Sequence, residues 1–220
     1  MQVKLYCFPA VLSCCQLFLQ FIKPYIANFI SLKCNYNRGV FMELDQVNFY
    51  KLNVRSCVVI TTVSERGISN AAPFSFNSPI SFSPPLFGIS SQPGHDTWRN
   101  INENKEFVVN FVDESFGNLM HILEKDFPYE VSEIKEAGLT EVSSTEVSPP
   151  RIKEAYAWLE CRLYDARELG DHVWITGEVV KVDVKDKCFD KALNPEKCRT
   201  LLHISGKYFA VPKLEEFRRA

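Results

Sequence analysis

The 220-residue sequence has little net charge, and it lacks the short catalytic motifs that identify many enzyme classes. Lysine and arginine together number 25 and aspartate and glutamate 27, which leaves a formal net charge of −2. That balance gives no electrostatic basis for binding nucleic acid. The sequence contains no GxSxG, HExxH or GxxxxGK motif, and its four histidines are scattered. Spacing alone therefore indicates no serine hydrolase, zinc peptidase or P-loop nucleotide site.

Paired cysteine motifs are also absent, although the chain has eight cysteines. No CxxC occurs, and the adjacent Cys14 and Cys15 suit neither a tetrahedral zinc site nor an ordinary disulfide, so no metal site is expected. Cys57 and Cys161 lie in apolar runs, which predicts buried thiols. A disulfide across the charged loop 188–198 would need an oxidising compartment, and nothing else in the sequence argues for one. We therefore expect a cytoplasmic protein.

The first 41 residues differ from the rest of the chain. Residues 6–22 carry no charge, and a lysine lies on each side of them. This pattern has the form of a signal peptide or anchor, and as a membrane span it would be at the lower limit of length. A third interpretation is a start site assigned too early, and a fourth is a genuine structural element. We favour the third, because Met42 begins an ordinary soluble sequence.

This interpretation sets the predicted domain boundaries. Residues 1–41 form an apolar extension outside the fold, and residues 42–220 form one domain. A membrane is an expected partner only if the extension is a real segment of the natural protein.

Short apolar runs separated by Pro, Gly, Ser and Asn predict a mainly β domain after the extension. Glu65, Arg66 and Gly67 are typical of a tight turn between the first two runs. Six or more strands with few helices indicate a small barrel. The predicted strands are 56–63, 69–76, 86–90, 106–112, 156–163 and 172–184, with a closing hairpin over 201–211.

Helical spacing is confined to short segments, which predict helices at 96–104, 116–125 and 131–137. The three prolines of segment 77–85 predict a loop. Gly177, inside the longest predicted strand, indicates a bulge or a close backbone contact.

Polar and small residues are concentrated between Thr61 and Asn100, at strand ends and at the start of the first predicted helix. Hydroxyl and amide side chains, together with backbone amides at a helix N-terminus, bind phosphate without a net positive charge. A phosphorylated cofactor is one interpretation of this segment, and a set of ordinary turn residues is the other. The residues taken singly favour the second.

An ordered series of motifs extends from about residue 45 to the C-terminus. It comprises Val59-Ile60-Thr61-Thr62-Val63, Gly67, Asn70-Ala71-Ala72-Pro73-Phe74-Ser75-Phe76, Ser81, Pro84-Pro85, Asp96-Thr97, Asn100-Ile101, Glu106-Phe107-Val108-Val109-Asn110, Pro149-Pro150-Arg151-Ile152, Leu159-Glu160-Cys161, Gly170-Asp171-His172 and Gly177-Glu178-Val179-Val180. In this order the motifs resemble the flavin reductase-like family, and above all its flavoredoxin-like branch. The resemblance implies a Greek-key, six-stranded antiparallel split β-barrel with short flanking helices, and a homodimer with FMN near the subunit interface.

The resemblance also implies where FMN would be held. The asparagine and the two alanines of the Asn-Ala-Ala-Pro segment, with the serine that follows it, would face the edge of the isoalloxazine ring. Ser90, Ser91, His95, Thr97 and Asn100 would surround the ribityl chain and phosphate. The histidine of the Gly-Asp-His motif would approach the flavin, from the same subunit or from its partner. The predicted cofactor contacts are Thr61, Asn70, Ala71, Ala72, Pro73, Ser75, Ser90, Ser91, His95, Thr97, Asn100 and His172.

The function implied by the resemblance places the chemistry on the flavin and not on protein side chains. NADH or NADPH would reduce the flavin, which would pass electrons to a small-molecule or protein acceptor. No residue is then expected to act as acid, base or nucleophile, in agreement with the missing catalytic motifs. The alternatives are a flavoredoxin-type electron carrier without its own nicotinamide site, and a split-barrel relative that binds another cofactor, such as a deazaflavin or haem.

Overall fold

The structure, a computed structural model, describes residues 41–217. The predictions for segment 1–41 therefore fall outside the described residues, apart from its last residue. The described chain divides after Phe49 into a short first unit and the main domain, which begins at Tyr50. Among the residues described, no helix is long and apolar enough to cross a membrane.

Within residues 41–217, strands predominate and the helices are short. The strands are β1 (Arg55–Ser56), β2 (Val58–Val63), β3 (Ser69–Phe74), β4 (Asn77–Phe82), β5 (Pro85–Ser91), β6 (Glu106–Phe111), β7 (Glu141–Val142), β8 (Arg151–Ile152), β9 (Ala157–Leu169), β10 (His172–Val184), β11 (Leu202–Ser205) and β12 (Tyr208–Ala210). The α-helices are α1 (Asp96–Asn104), α2 (Met120–Leu123), α3 (Glu133–Glu136) and α4 (Pro195–Cys198), and 3-10 helices span Gln46–Leu52, Glu114–Asn118 and Asp186–Cys188.

Seven of the strands form one antiparallel sheet, in the order β3-β2-β6-β9-β10-β5-β4. The two strands at the ends of this order, β3 and β4, are consecutive in the chain, and only Ser75 and Phe76 separate them. The sheet must therefore curl until its edges meet. At that junction the backbone N–H of Ser90 in β5 donates to the carbonyl of Phe76, at 2.9 Å, which extends the β4–β5 pairing by one residue into the link to β3. This closure produces a barrel and confirms the predicted mainly β split-barrel class. The sheet has seven strands and not the predicted six, and β4 is the additional one.

Strand β2 is buried on both faces, as its run of β-branched residues predicts. Val58 and Ile60 contribute to the cluster that fills the barrel, whereas Val59, between them, belongs to a second cluster under α2 and α3. The alternation follows from the two-residue period of a strand. Cys57 and Cys161 are buried and unbridged, as predicted. Two packed layers thus hold β2 and its neighbour β3 in place.

The six main strands and the closing hairpin occur where the sequence predicts them, but segment 77–85 is not a loop. Most of it forms β4, an edge strand that pairs only with β5. Its side chains are largely exposed, so the apolar alternation of a half-buried strand is missing. An edge strand also tolerates Pro79, which lies at a shift of register in the pairing. Besides the seven-stranded sheet, the described residues form two small sheets, with the strand orders β1-β11-β12 and β7-β8.

We expect Gly177→Ala to lower the free energy of unfolding by about 2–3 kcal/mol, the cost of overpacking a filled core. The β9–β10 pairing shifts register between Thr176 and Gly177, which confirms the predicted irregularity. A Cβ atom at this glycine would lie 2.4 Å from Cζ of Phe107 and 2.9 Å from Cβ of Cys161, both fully buried. Urea unfolding measures the loss.

Gly117→Ala serves as the control for this substitution. A Cβ atom there would meet only a methyl group of Leu201, at 3.9 Å. Equal stability of the two variants would contradict the packing argument at Gly177.

Candidate functional site

A cleft of about 610 Å³ opens beside the junction where the edges of the main sheet meet. Its volume lies within the range of cofactor and ligand sites. The walls come from β3 and the junction after it, the end of β5, the start of α1, the segment after α2, and α3. The lining residues are Asn70, Ala71, Ala72, Pro73, Phe74, Ser75, Phe76, Ser90, Ser91, Gln92, Gly94, His95, Asp96, Thr97, Leu123, Glu124, Lys125, Asp126, Phe127, Glu133 and His172.

Most of the predicted cofactor residues meet in this cleft, although they come from four separate parts of the sequence. Ten of the twelve line it, and they are Asn70, Ala71, Ala72, Pro73, Ser75, Ser90, Ser91, His95, Thr97 and His172. Whether they contact a cofactor stays a prediction, but the fold brings them to one place.

Thr61 and Asn100 are the two predicted residues that do not line the cleft, and both are fully buried. The Thr61 hydroxyl donates to the carbonyl of Pro150 and accepts from Nδ2 of Asn110. Asn100 donates from Nδ2 to Oγ1 of Thr62, at 2.9 Å, and its Oδ1 accepts from the hydroxyl of Tyr129, at 2.6 Å. The Thr61 hydroxyl thus forms its hydrogen bonds inside the domain, and Asn100 is linked through Thr62 to Asn70 in the cleft wall. Contact of either residue with a cofactor stays a prediction.

The Asn70 side chain is fixed by hydrogen bonds at both ends of its amide. Its Oδ1 accepts from the hydroxyls of Thr62 and Thr97, each at 3.2 Å. Its Nδ2 donates to Oε2 of Glu133, at 3.1 Å. The Asn70 amide N–H that the resemblance directs at the flavin edge thus donates to the Glu133 carboxylate. Asn70 therefore helps to shape the wall of the cleft.

Glu133 is one of the eleven lining residues that are not among the predicted cofactor contacts, and it is the most deeply buried carboxylate of the lining. Its carboxylate also accepts from the backbone N–H of Ala71, at 3.0 Å, and the residue is 6% exposed. Burial raises the pKa of Glu133, and the hydrogen bonds from Ala71 and Asn70 offset only part of that effect. A glutamate in a short predicted helix looks like a solvated residue. Its partners lie 62 and 63 positions earlier, a separation that no local pattern reveals.

The start of α1 offers hydrogen-bond donors to the cleft. The N–H groups in the first turn of a helix have no partner within the helix, and the side chain of the N-cap residue, His95, makes no capping hydrogen bond. Asp96 lies in the same turn, where burial raises the pKa of its carboxyl and Arg99 works against that rise. Ser90 and the exposed Lys125 also line the cleft. This end can hold an anion mainly through neutral donors.

An aromatic pair forms part of the rim. The ring centroids of Phe76 and His172 lie 5.9 Å apart. Cζ of Arg55 lies 5.3 Å from the centroid of the Phe76 ring. His172 is hydrogen-bonded through Nδ1 to Oδ1 of Asp171, at 2.7 Å, which lowers the pKa of that carboxyl. Because His172 Nδ1 is occupied, the histidine presents its other ring atoms and its flat face.

The hydrogen bond between Ser75 and His203 has a defined direction. Nε2 of His203 lies 3.2 Å from the carbonyl of Gly206, which can only accept, so in the neutral ring this nitrogen carries the proton. Nδ1 of His203 then accepts from Oγ of Ser75, at 3.1 Å. Oγ of Ser75 also accepts from Nε of Arg55, at 3.4 Å. Ser75 therefore donates its proton to His203, and one lone pair of its oxygen is left for the cleft.

Comparison with known proteins gives a consistent match. The family model described as "Flavin reductase like domain" matches residues 52–212. An uncharacterised protein from Aquifex aeolicus is 39% identical over 183 residues, which cover 77% of this chain and 93% of that protein. The range matched by the family model therefore includes β1 to β12 and every residue of the cleft wall.

Three solved structures are similar to this one. Nitrilotriacetate monooxygenase component B from Bacillus cereus has a TM-score of 0.73 and 28% identity, over 84% of this chain and all of that one. A split-barrel protein from Shewanella frigidimarina has a TM-score of 0.73 at 21% identity, over 80% and 94% of the chains. An FMN-binding protein from Thermus thermophilus has a TM-score of 0.68 at 25% identity, over 83% and 100%. The barrel described above is thus a split barrel.

Proposed function

Because the chain belongs to the flavin reductase-like family, we propose that it is an FMN-dependent oxidoreductase that accepts hydride from NADH or NADPH and passes electrons to an acceptor. The observation that carries this proposal is the single cleft that ten of the twelve predicted cofactor residues line. Flavin binding is supported by the FMN-binding structural neighbour. The nicotinamide donor and the electron acceptor are proposed from the family resemblance alone.

The chemistry of the cleft walls fits FMN. One end has the neutral hydroxyl of Ser90, the Lys125 ammonium and the N–H groups of the first turn of α1, which suit a phosphate and a ribityl chain. The other end has the small side chains of Ala71 and Ala72, which leave room for a flat ring next to the backbone of β3. The volume of about 610 Å³ is large enough for a cofactor of this class.

When bound, FMN supplies the hydride and electron chemistry, and the protein's own residues bind and orient it. Glu133 fixes the backbone N–H of Ala71, and the Asn70 amide ties β3 to α1 through Thr97. Ser75 offers an acceptor, while Phe76 and His172 form the rim beside which a second flat molecule would bind. We also propose a homodimer as the working unit, as the resemblance implies, with this rim near the partner subunit.

The test is titration of the purified chain with FMN and with riboflavin, followed by anaerobic addition of NADH and of NADPH. We expect one FMN per chain, weaker binding of riboflavin because it lacks the phosphate, and bleaching of the flavin absorbance by at least one nicotinamide. Light scattering on the same sample reports whether the flavoprotein is a dimer.

Each failure has a distinct meaning. A chain that takes up no FMN would refute flavin binding and favour another cofactor, such as a deazaflavin or haem. A flavoprotein that neither nicotinamide reduces would refute the reductase and favour the electron carrier.

A further inference from the structure

Two carboxylates are buried in the part of the chain that the structure describes, and their surroundings differ. Glu160 is fully buried and forms an ion pair with Arg151. Glu133 is almost as deeply buried, but within residues 41–217 no ion pair joins it to a lysine or arginine. An unpaired buried charge is costly, and such groups are concentrated at functional sites. Glu133 lies in the wall of the cleft.

Both hydrogen bonds that join the Glu133 side chain to other residues come from the strand that forms the wall. Nδ2 of Asn70 and the backbone N–H of Ala71 both donate to the same oxygen, Oε2, at 3.1 and 3.0 Å. These two residues begin the motif that the family resemblance assigns to the flavin edge. Glu133 therefore acts on the binding surface in two ways, through the geometry of β3 and through its negative charge.

The charge has a consequence for any cofactor whose reduction adds negative charge. In a partly desolvated cleft, two like charges interact far more strongly than in water. Asp96, which also lines the cleft, adds to the negative potential. The other charged lining residues of this part, Glu124, Lys125 and Asp126, are exposed and more strongly screened. A fixed anion in the wall therefore weakens the binding of the reduced cofactor more than that of the oxidised one.

We propose that Glu133 is a positioning residue of the flavin site, which holds Asn70 and Ala71 in place and whose negative charge makes the bound flavin harder to reduce. The inference rests on the proposed FMN binding, and it assigns to this chain a residue that sets the potential of the cofactor.

Three variants separate charge from geometry. Glu133→Gln keeps a carbonyl oxygen that can accept from both donors but removes the charge. Glu133→Leu removes the acceptor as well. Glu136→Gln makes the same change of charge on the exposed side of the same helix, outside the cleft, and is the matched control. For each, FMN affinity is measured by titration and the midpoint potential by equilibration with redox dyes, with thermal melts to check folding.

We expect Glu133→Gln to raise the affinity for reduced FMN relative to oxidised FMN on the order of tenfold, which is about 30 mV for a two-electron couple. Its affinity for oxidised FMN should stay within about threefold of the wild type, because both hydrogen bonds are retained. Glu133→Leu should bind oxidised FMN at least about tenfold more weakly. Glu136→Gln should match the wild type in both measurements, because its charge is solvated.

Several outcomes overturn the proposal. A wild-type protein that binds FMN, with an unchanged potential in Glu133→Gln, would remove the charge effect and leave the proposed function intact. An equal shift in Glu136→Gln would show that the effect is not local. A wild-type protein that binds no FMN would refute the proposed function and this inference with it. The potential is read from the glutamine variant, which keeps the shape of the side chain, so the test does not depend on the leucine variant folding.

Discussion

Replacing Asn70 with aspartate is expected to weaken FMN binding about a hundredfold, or about 2.7 kcal/mol. The amide nitrogen that donates to Oε2 of Glu133 at 3.1 Å would become a carboxylate oxygen. Two carboxylates at that separation repel one another strongly where water is scarce. The family resemblance implies the same direction for a different reason, since the new anion would lie next to the electron-rich isoalloxazine ring. In the structure the first effect is the loss of the bond that holds the cleft wall.

Quenching of FMN fluorescence in a titration measures the affinity of this variant. Asn102→Asp is the matched control, because Asn102 is exposed on α1 and its Oδ1 accepts from Lys105, which would pair with the new carboxylate. We expect the control to bind FMN as the wild type does. If Asn70→Asp also kept the wild-type affinity, Asn70 would have no part in the site.

Glu160→Gln is expected to lower the free energy of unfolding by about 3 kcal/mol, the lower end of the range for breaking a buried ion pair. Both carboxylate oxygens face donors. Oε1 accepts from Nε of Arg151 at 2.7 Å, and Oε2 accepts from the backbone N–H of Glu146 at 2.6 Å. The N–H of Thr145 contacts both oxygens. A glutamine at this position has one amide NH2 group in place of a carboxylate oxygen. Whichever way the amide is turned, this NH2 group faces N–H donors and cannot accept from them.

The stabilisation by Glu160 also depends on pH. Burial alone would raise its pKa, but the N–H groups of Thr145 and Glu146 and the Arg151 guanidinium together hold the pKa below its usual value. A carboxyl with a lowered pKa in the folded state stabilises the fold above its unfolded pKa, about 4.3. That contribution is lost as the pH falls through the folded pKa.

Urea unfolding at neutral pH and at successively lower pH tests both parts of this prediction. The difference between wild type and Glu160→Gln should be largest at neutral pH and should shrink in acid. The exposed pair Glu114 and Arg199 provides the control, and Glu114→Gln should cost far less because water solvates both charges. A Glu160 variant as stable as the Glu114 variant would mean that the buried pair adds nothing.

The sequence predicts the strands that have an apolar core face and misses the one that does not. The six main strands are half or fully buried, so burial leaves a pattern in the sequence. Strand β4 is held by backbone pairing to β5 at the edge of the sheet and has exposed side chains. Its prolines favour a loop locally, and only the position of the chain in the folded sheet makes it a strand.

The cleft shows a similar division between local and long-range information. The ordered motifs identify residues from β3, β5 and α1 because each motif is continuous in sequence. Glu133 has no such motif, and its role follows from contacts with Asn70 and Ala71 that only the fold creates. Thr61 and Asn100 also lie within the motifs, but their buried side chains form hydrogen bonds inside the domain and do not line the cleft. A motif that is continuous in sequence does not show which of its side chains face the cleft, because neighbouring residues of a strand or helix point in different directions. Contact of these two residues with a cofactor stays a prediction.

The two-residue junction between β3 and β4 makes barrel closure and ligand binding properties of the same piece of chain. Ser75 and Phe76 join the sheet edges, and both also line the cleft. A molecule bound in the cleft would contact β3 on one side of this junction and the end of β5 on the other. It would therefore connect the two edges of the sheet. Ligand binding in the cleft and closure of the barrel are then thermodynamically linked. The free energy by which a bound ligand stabilises the closed barrel equals the free energy by which closure strengthens ligand binding.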